Sequence, residues 1–343
     1  MFIALLASAA VAGCGGGGSS NSEDPNQVLK ETFNNQTKVT SGNLNISLNG
    51  SVEGAQSGTL TASVEGPFQA EAGDSKTFPQ LDLTAKISAS GGGQSFNFDG
   101  SLVTTKDNAY VEYQGQAYEV GTALFKKFTQ AYQEQAAQAE AQGAQNSSSF
   151  FKQFGIDPAT WLTNVSNEGT TDVEGTETIH VHGDADVSQI VSDLGKIAQR
   201  TPGGTAQRLT PSQLDQVKSY VKSASIDVYS GTSDKLLRKL AVTLSIEPPS
   251  DANAPISSVN ADFSVTLSDV NQPQTITAPS NAKPIQDLLS QFGINLDSLG
   301  SLGGGSAGSQ TPGGGGGPGQ AYADCLKSAK TPSDFNKCAQ QLQ

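Results

Sequence analysis

Val259-Asn260-Ala261-Asp262-Phe263-Ser264-Val265-Thr266-Leu267-Ser268 places an apolar residue at every odd position and a polar residue at every even one. A period of two sets all the apolar side chains on one side of an extended chain. The run therefore predicts a strand with one dry and one wet face, the kind found in antiparallel sheets. The same alternation recurs outward from it. Leu240, Val242, Leu244 and Ile246 precede it, with Ile226–Tyr229 before them. In the first third of the chain Leu44, Ile46, Leu48 and Val52 alternate with Asn45, Ser47 and Asn49. Leu60, Ala62 and Val64 follow, then Leu81 through Ala89, then Phe96, Phe98 and Leu102. Shorter strands are expected at Ala109–Tyr113 and Gln116–Val120 around Gln114-Gly115, and at Thr170–Val173 and Thr176–Val181 around Glu174-Gly175. Dipeptides of that kind accept the positive φ of a two-residue hairpin turn. Gly91-Gly92-Gly93 supplies another turn.

Helical periods interrupt the strands. Pro25 opens a helix with Val28, Leu29 and Phe33 on one side, and Thr122 reads as an N-cap before Phe125, Phe128 and Tyr132. Pro158 starts a short helix carrying Trp161 and Leu162, and Asp186 caps a stripe of Val187, Ile190, Val191, Leu194 and Ile197. Thr210-Pro211-Ser212-Gln213 is a capping box ahead of Leu214, Val217 and Val221, and a last helix is expected from Pro284 to Phe292. No βαβ alternation and no fixed repeat is visible. The sum is an α+β fold, with about eleven strands in one strongly curved antiparallel half-barrel wrapped around helices.

The N-terminus places the chain. An apolar run from Phe2 to Val11 leads into Ala12-Gly13-Cys14, then glycine and serine. This resembles the lipobox of bacterial lipoproteins, in which a signal peptide is cut just before a lipid-modified cysteine. The run is too short to span a bilayer, although no Lys or Arg precedes it. Residues 1–13 read as a signal peptide, Cys14 as the lipid attachment, and 14–24 as a flexible tether. The expected location is the extracytoplasmic face of the cell membrane, held through the anchor. Residues 25–296 form the folded domain, 297–320 a Gly/Ser/Pro linker, and 321–343 a small helical hairpin. With Cys14 lipidated, Cys325 and Cys338 remain as a pair, which reads as a disulfide outside the cytoplasm. The formal charge of −13 argues against nucleic acid, which is held by clustered Lys and Arg. It argues equally against flat docking on anionic headgroups.

Catalytic chemistry is hard to assemble from this sequence. Both histidines, His180 and His182, share a strand face, with Asp184 and Asp186 beyond. With no third histidine and no cysteine nearby, they read as two exposed side chains, and neither a metal nor a cofactor is expected. No nucleophile, base and oxyanion donor come together, so the chain does not read as an enzyme. What the dry face offers is apolar volume. Its side chains are mostly Leu, Val, Ile and Ala, and on a curved sheet they leave a hollow. Either the helices at Asp186–Arg200 and Thr210–Lys222 fill that hollow, or a ligand does. The candidate lining is Leu44, Ile46, Leu48, Leu60 and Val64 on the first strands, then Leu83, Ile87, Phe96 and Phe98. Leu244, Phe263 and Val265 come from the last strands, and Leu194 and Val217 from the helices. Phe125, Phe128, Tyr132, Phe151 and Phe154 are candidates for a flap over the opening.

A resemblance sharpens this. The lipobox, the strand meander, the helical insert, the hairpin Val173-Glu174-Gly175-Thr176-Glu177-Thr178-Ile179-His180, and the closing Ser268-Asp269-Val270-Asn271-Gln272-Pro273 with Ile276 and Pro279 resemble the LppX/LprG family of actinobacterial lipoproteins. Those proteins share the LolA/LolB-type half-barrel. The resemblance runs from about Pro25 to Pro279 and implies a cavity between sheet and helices that carries an acyl lipid or lipidated molecule. The alternative is a structural or interaction lipoprotein with a filled core.

Overall fold

The computed structural model describes residues 23–55, 57–71, 77–141, 156–190, 192–193, 219–248 and 256–291. Helix α1 (Pro25–Phe33) is followed by β1 (Ser41–Gly54), β2 (Gly58–Gln69), β3 (Gln80–Gly91), β4 (Gln94–Thr104), β5 (Ala109–Tyr113) and β6 (Gln116–Glu119). Helix α2 (Thr122–Ala141) and a 3-10 turn (Pro158–Trp161) lead to β7 (Leu162–Val173) and β8 (Thr176–Ala185). Then come β9 (Val221–Gly231), β10 (Leu237–Ile246), β11 (Ile256–Ser268), β12 (Lys283–Pro284) and α3 (Ile285–Gln291).

All twelve strands form one sheet in the order β12-β6-β5-β4-β3-β2-β1-β11-β10-β9-β8-β7. It is two meanders, β1–β6 and β7–β11, joined where β1 pairs antiparallel with β11. The sheet is curved and unclosed, with β7 at one edge. Register carries the apolar parity across the join. Val181, Val228, Leu240, Val265, Ile46, Val64, Ala85, Gly100 and Tyr113 are successive cross-strand partners from β8 to β5. The next row is Ile226, Val242, Phe263, Leu48, Ala62, Ile87 and Phe98. Partners in an antiparallel ladder share a face, so one apolar face runs through both meanders.

Helix α1 covers one part of it. Asp24 caps the helix by accepting from the Asn26 and Gln27 amides, and Pro25 occupies the first turn, where its missing N–H leaves nothing unpaired. Val28, Leu29, Thr32 and Phe33 face inward. They pack with Ile156, Trp161, Leu162, Ile179, Val181, Ile226, Val228 and Leu240 into the main core. Ile179, Val181, Ile226 and Val228 have no exposed surface at all. A smaller cluster joins α3 to β6 through Ile285, Leu288 and Tyr118.

The hairpin turns fall where their dipeptides predict. Gln114-Gly115 and Glu174-Gly175 both take positive φ at the two central positions, as a type I′ turn requires. Four boundaries differ from the sequence pattern. Strand β7 begins at Leu162 rather than Thr170, because register shifts between Thr163 and Ser166 and between Asn167 and Gly169 break the alternation. Trp161 accordingly ends a 3-10 turn rather than sitting inside a helix with Leu162. The Phe125 amide reaches the Gly121 carbonyl, which puts the α2 cap at Gly121 and Thr122 inside the helix. Lys283–Pro284 pairs parallel with β6 as a twelfth strand, so α3 starts one residue later, at Ile285.

Candidate functional site

Past β10 the apolar face continues, but no described element packs over it as α1 does over β7–β10. Among the described residues Leu60 is 38% exposed, Ile87 36%, Leu102 38% and Phe96 58%. Leu44, Ile46, Leu48, Val64, Leu83, Phe98, Leu244, Phe263 and Val265 are half-buried on the same face. The structure therefore brings all the described candidate lining residues onto one surface. Leu194 and Val217 lie outside the described residues, as do Phe151, Phe154, Cys14, Cys325 and Cys338.

Two local devices shape this surface. Gly100 sits opposite Tyr113, and a Cβ there would come within 2.9 Å of the Phe98 ring. Its absence lets Phe98 lie over the strand and stack on Tyr113, with centroids 6.1 Å apart and planes at 29°. Tyr113 thus extends the apolar row although β5 is only five residues long. The second device is Phe78, in the connection between β2 and β3. Its ring meets Phe125, Phe128 and Tyr132 edge-on at 6.2, 6.4 and 5.2 Å. Phe125 is buried by this, whereas Phe128 stays 65% exposed. Sequence reading missed both contacts: pairing of β4 with β5 brings Tyr113 to Phe98, and packing of α2 on the β2–β3 connection brings Phe78 to its partners.

The opposite face is hydrophilic. On β1–β4, Ser47, Ser63, Lys86 and Asp99 form one cross-strand row and Asn49, Thr61, Ser88 and Asn97 the next. These eight residues line an open recess of about 570 Å³, together with Ala62, Ile87 and Phe98 of the same strands and with Tyr113 and Gln114. On β8 and β9 the same face carries a histidine cluster. His180 Nε2 and His182 Nδ1 lie 2.7 and 2.8 Å from a single acceptor, Asp227 Oδ1. The His180 ring stacks on Tyr229 at 4.5 Å and 6°, and Lys239 Nζ stands 5.5 Å above the same phenol. Burial, followed by the Asp227 carboxylate, pushes the Tyr229 hydroxyl above its ordinary 10.0.

No family profile and no curated protein sequence matches the chain. Solved structures do resemble it in chain trace. LprF from Mycobacterium bovis is 14% identical, with 76% of this chain and 99% of that one covered and a TM-score of 0.36. The lipoprotein LppX of Mycobacterium tuberculosis is 13% identical, with 74% and 98% covered and a TM-score of 0.33. A DUF1329 family protein from Desulfovibrio piger is 8% identical, covering 74% and 92% at a TM-score of 0.17. Among the described residues no helix is long and apolar enough to cross a membrane.

Proposed function

We propose that this chain is a lipoprotein, anchored through Cys14 on the outer side of the cell membrane, that holds the acyl chains of a lipid or lipidated molecule against its sheet. One observation carries the reading: the apolar face extends from its packed part under α1 to a part where Leu60, Ile87, Phe96 and Leu102 remain exposed. Soluble proteins rarely leave a contiguous apolar face open unless something binds there. Acyl chains suit such a surface, since each methylene withdrawn from water contributes about 0.8 kcal/mol without needing a polar partner. The rings of Phe98 and Tyr113 would bound the site at β5, and α2 with its Phe78 contacts would stand at the end of the strands. Carriage or presentation of the lipid would follow from exchange at this open side. No step of it calls for a catalytic group.

The test uses the full chain with Cys14→Ser, so that no acyl anchor can form, and a fluorescent fatty acid as probe. Saturable binding that Ile87→Asp weakens at least about tenfold supports the proposal. Saturable binding indifferent to Ile87→Asp and Leu60→Asp, or no binding at all, would overturn it and leave a tethered domain with a filled interior.

A further inference from the structure

The two apolar rows that cross the sheet end in a pair of rings that touch. The row through Ile46, Val64, Ala85 and Gly100 ends at Tyr113, and the next, through Leu48, Ala62 and Ile87, ends at Phe98. Gly100 is the reason they meet. A Cβ there would stand 2.9 Å from the Phe98 ring, so the missing side chain lets that ring lean out of its own row and stack on Tyr113 at 6.1 Å. The stacked pair closes the channel between the two rows. At the opposite end the same channel passes between Val228 and Leu240 on one side and Ile226 and Val242 on the other, where α1 covers it. We propose that this channel takes a single acyl chain lying across the strands, with its terminal methyl against Phe98 and Tyr113, so that the two rings set the longest chain the protein accepts. The inference rests on the lipid reading above and narrows it from acyl lipids in general to chains of limited length.

Sheet geometry sets the direction. Side chains on one face repeat every ~6.8 Å along a strand but every ~4.8 Å from strand to strand. Packed carbon atoms need about 4 Å between centres. A methylene chain therefore drops between rows more readily than between strands, and it lies across the sheet. The strands it crosses set the length. Between the covered wall at β10 and the rings at β4 and β5, the channel runs over β11, β1, β2 and β3. None of Val265, Ile46, Val64 and Ala85 on that floor is buried. Strands at ~4.8 Å spacing give these four about 19 Å of open channel. One leaflet's chains fill half of a ~30 Å hydrocarbon core, so the tail of an ordinary membrane lipid is of comparable length.

Polarity decides which end of the lipid meets the rings. The Phe98 ring has no group to pair with a carboxylate or phosphate, and stripping either of water there is costly. The head group instead leaves the channel on its open side, where it stays hydrated. The stop is held in place. Tyr113 packs against the cluster of Tyr118, Ile285 and Leu288, and its hydroxyl accepts from Gln114 Nε2 at 3.1 Å.

The experiment uses the full chain with Cys14→Ser and follows displacement of a fluorescent fatty acid. The competitors are saturated fatty acids from about ten to about twenty carbons, a series in which each step adds methylenes of known transfer energy. Affinity should rise about fourfold with each added methylene until the channel is full, and then stop rising. Phe98→Ala opens the space above Gly100 and should move that limit to chains longer by at least about two methylenes, a gain of at least about tenfold for the longest competitors. Ala85→Leu fills the channel at β3, one strand before Phe98, and should move the limit to shorter chains. A limit that Phe98→Ala leaves in place, or saturable binding with no limit in the series, overturns the inference while the lipid reading stands. Absence of any fatty-acid binding removes both. If Phe98→Ala unfolds, Ala85→Leu decides: a shorter limit supports the stop, and an unmoved one overturns it.

Discussion

The two ends of one apolar face behave differently. Under α1, Ile179, Val181, Ile226 and Val228 are wholly enclosed. Across the β1–β11 join, the row that starts at Ile226 ends in Ile87 and Phe98, of which the first is 36% exposed. Composition does not separate them, because both halves alternate Leu, Val, Ile and Phe with Ser, Thr and Asn. The cover does. Helix α1 and the 3-10 turn press four large side chains, Val28, Leu29, Phe33 and Trp161, onto β7–β10, and no described element does the same for β1–β4. Burial is a property of what packs against a strand, so an identical pattern can mean core in one place and binding surface in another.

The contrast can be broken by mutation. Ile226→Ala, in the enclosed half, should cost about 3 kcal/mol in denaturant unfolding, because the cavity it leaves cannot collapse. Ile87→Ala, in the open half, should cost under about 1 kcal/mol by the same measurement. Equal losses would mean that both halves are packed alike. Further into the closed half, the buried Trp161 Nε1 donates to Asp193 Oδ2 at 2.8 Å, and Asp193 is 1% exposed. Asp193→Ala removes that acceptor and should cost about 2 kcal/mol in urea unfolding. Ser230 is fully buried, and its Oγ lies 2.7 Å from Thr32 Oγ1 on α1. Ser230→Ala should lower stability by about 1 kcal/mol and loosen α1, read as faster amide exchange at Thr32 and Phe33.

The smallest effect lies on the hydrophilic face. With its pKa raised, Tyr229 is favoured in the neutral form by folding. Its contribution is complete below pH 10.0 and is lost as pH rises through the higher folded value. Ultraviolet titration should find this phenol ionising late. Asp227→Asn should bring it only part of the way back, since burial is the larger cause.

Much of this was legible in the chain, and for identifiable reasons. Alternation located all eleven strands from β1 to β11 at least in part, and Gln114-Gly115 and Glu174-Gly175 located their turns, because both signals are local. Strand β7 hid its first half, since two bulges and a positive φ at Asn164 erase the period of two. The two-residue β12 is too short to carry a period at all. The site was legible only as a set of apolar positions: Leu44, Ile87 and Phe263 read as one face, but which part of that face is covered depends on where α1 docks. Asp227 shows the same limit. It is 45 residues from His182 in sequence, and only the β8–β9 register brings it to the histidines.

Native mass spectrometry of the full chain with Cys14→Ser, purified from a lipid-containing envelope fraction, tests the central claim most directly. The account predicts adducts with the masses of acyl lipids, which disappear in the combined Leu60→Asp and Ile87→Asp variant while its unfolding temperature stays within a few degrees. A stable parent protein that carries no lipid through repeated preparations would contradict it.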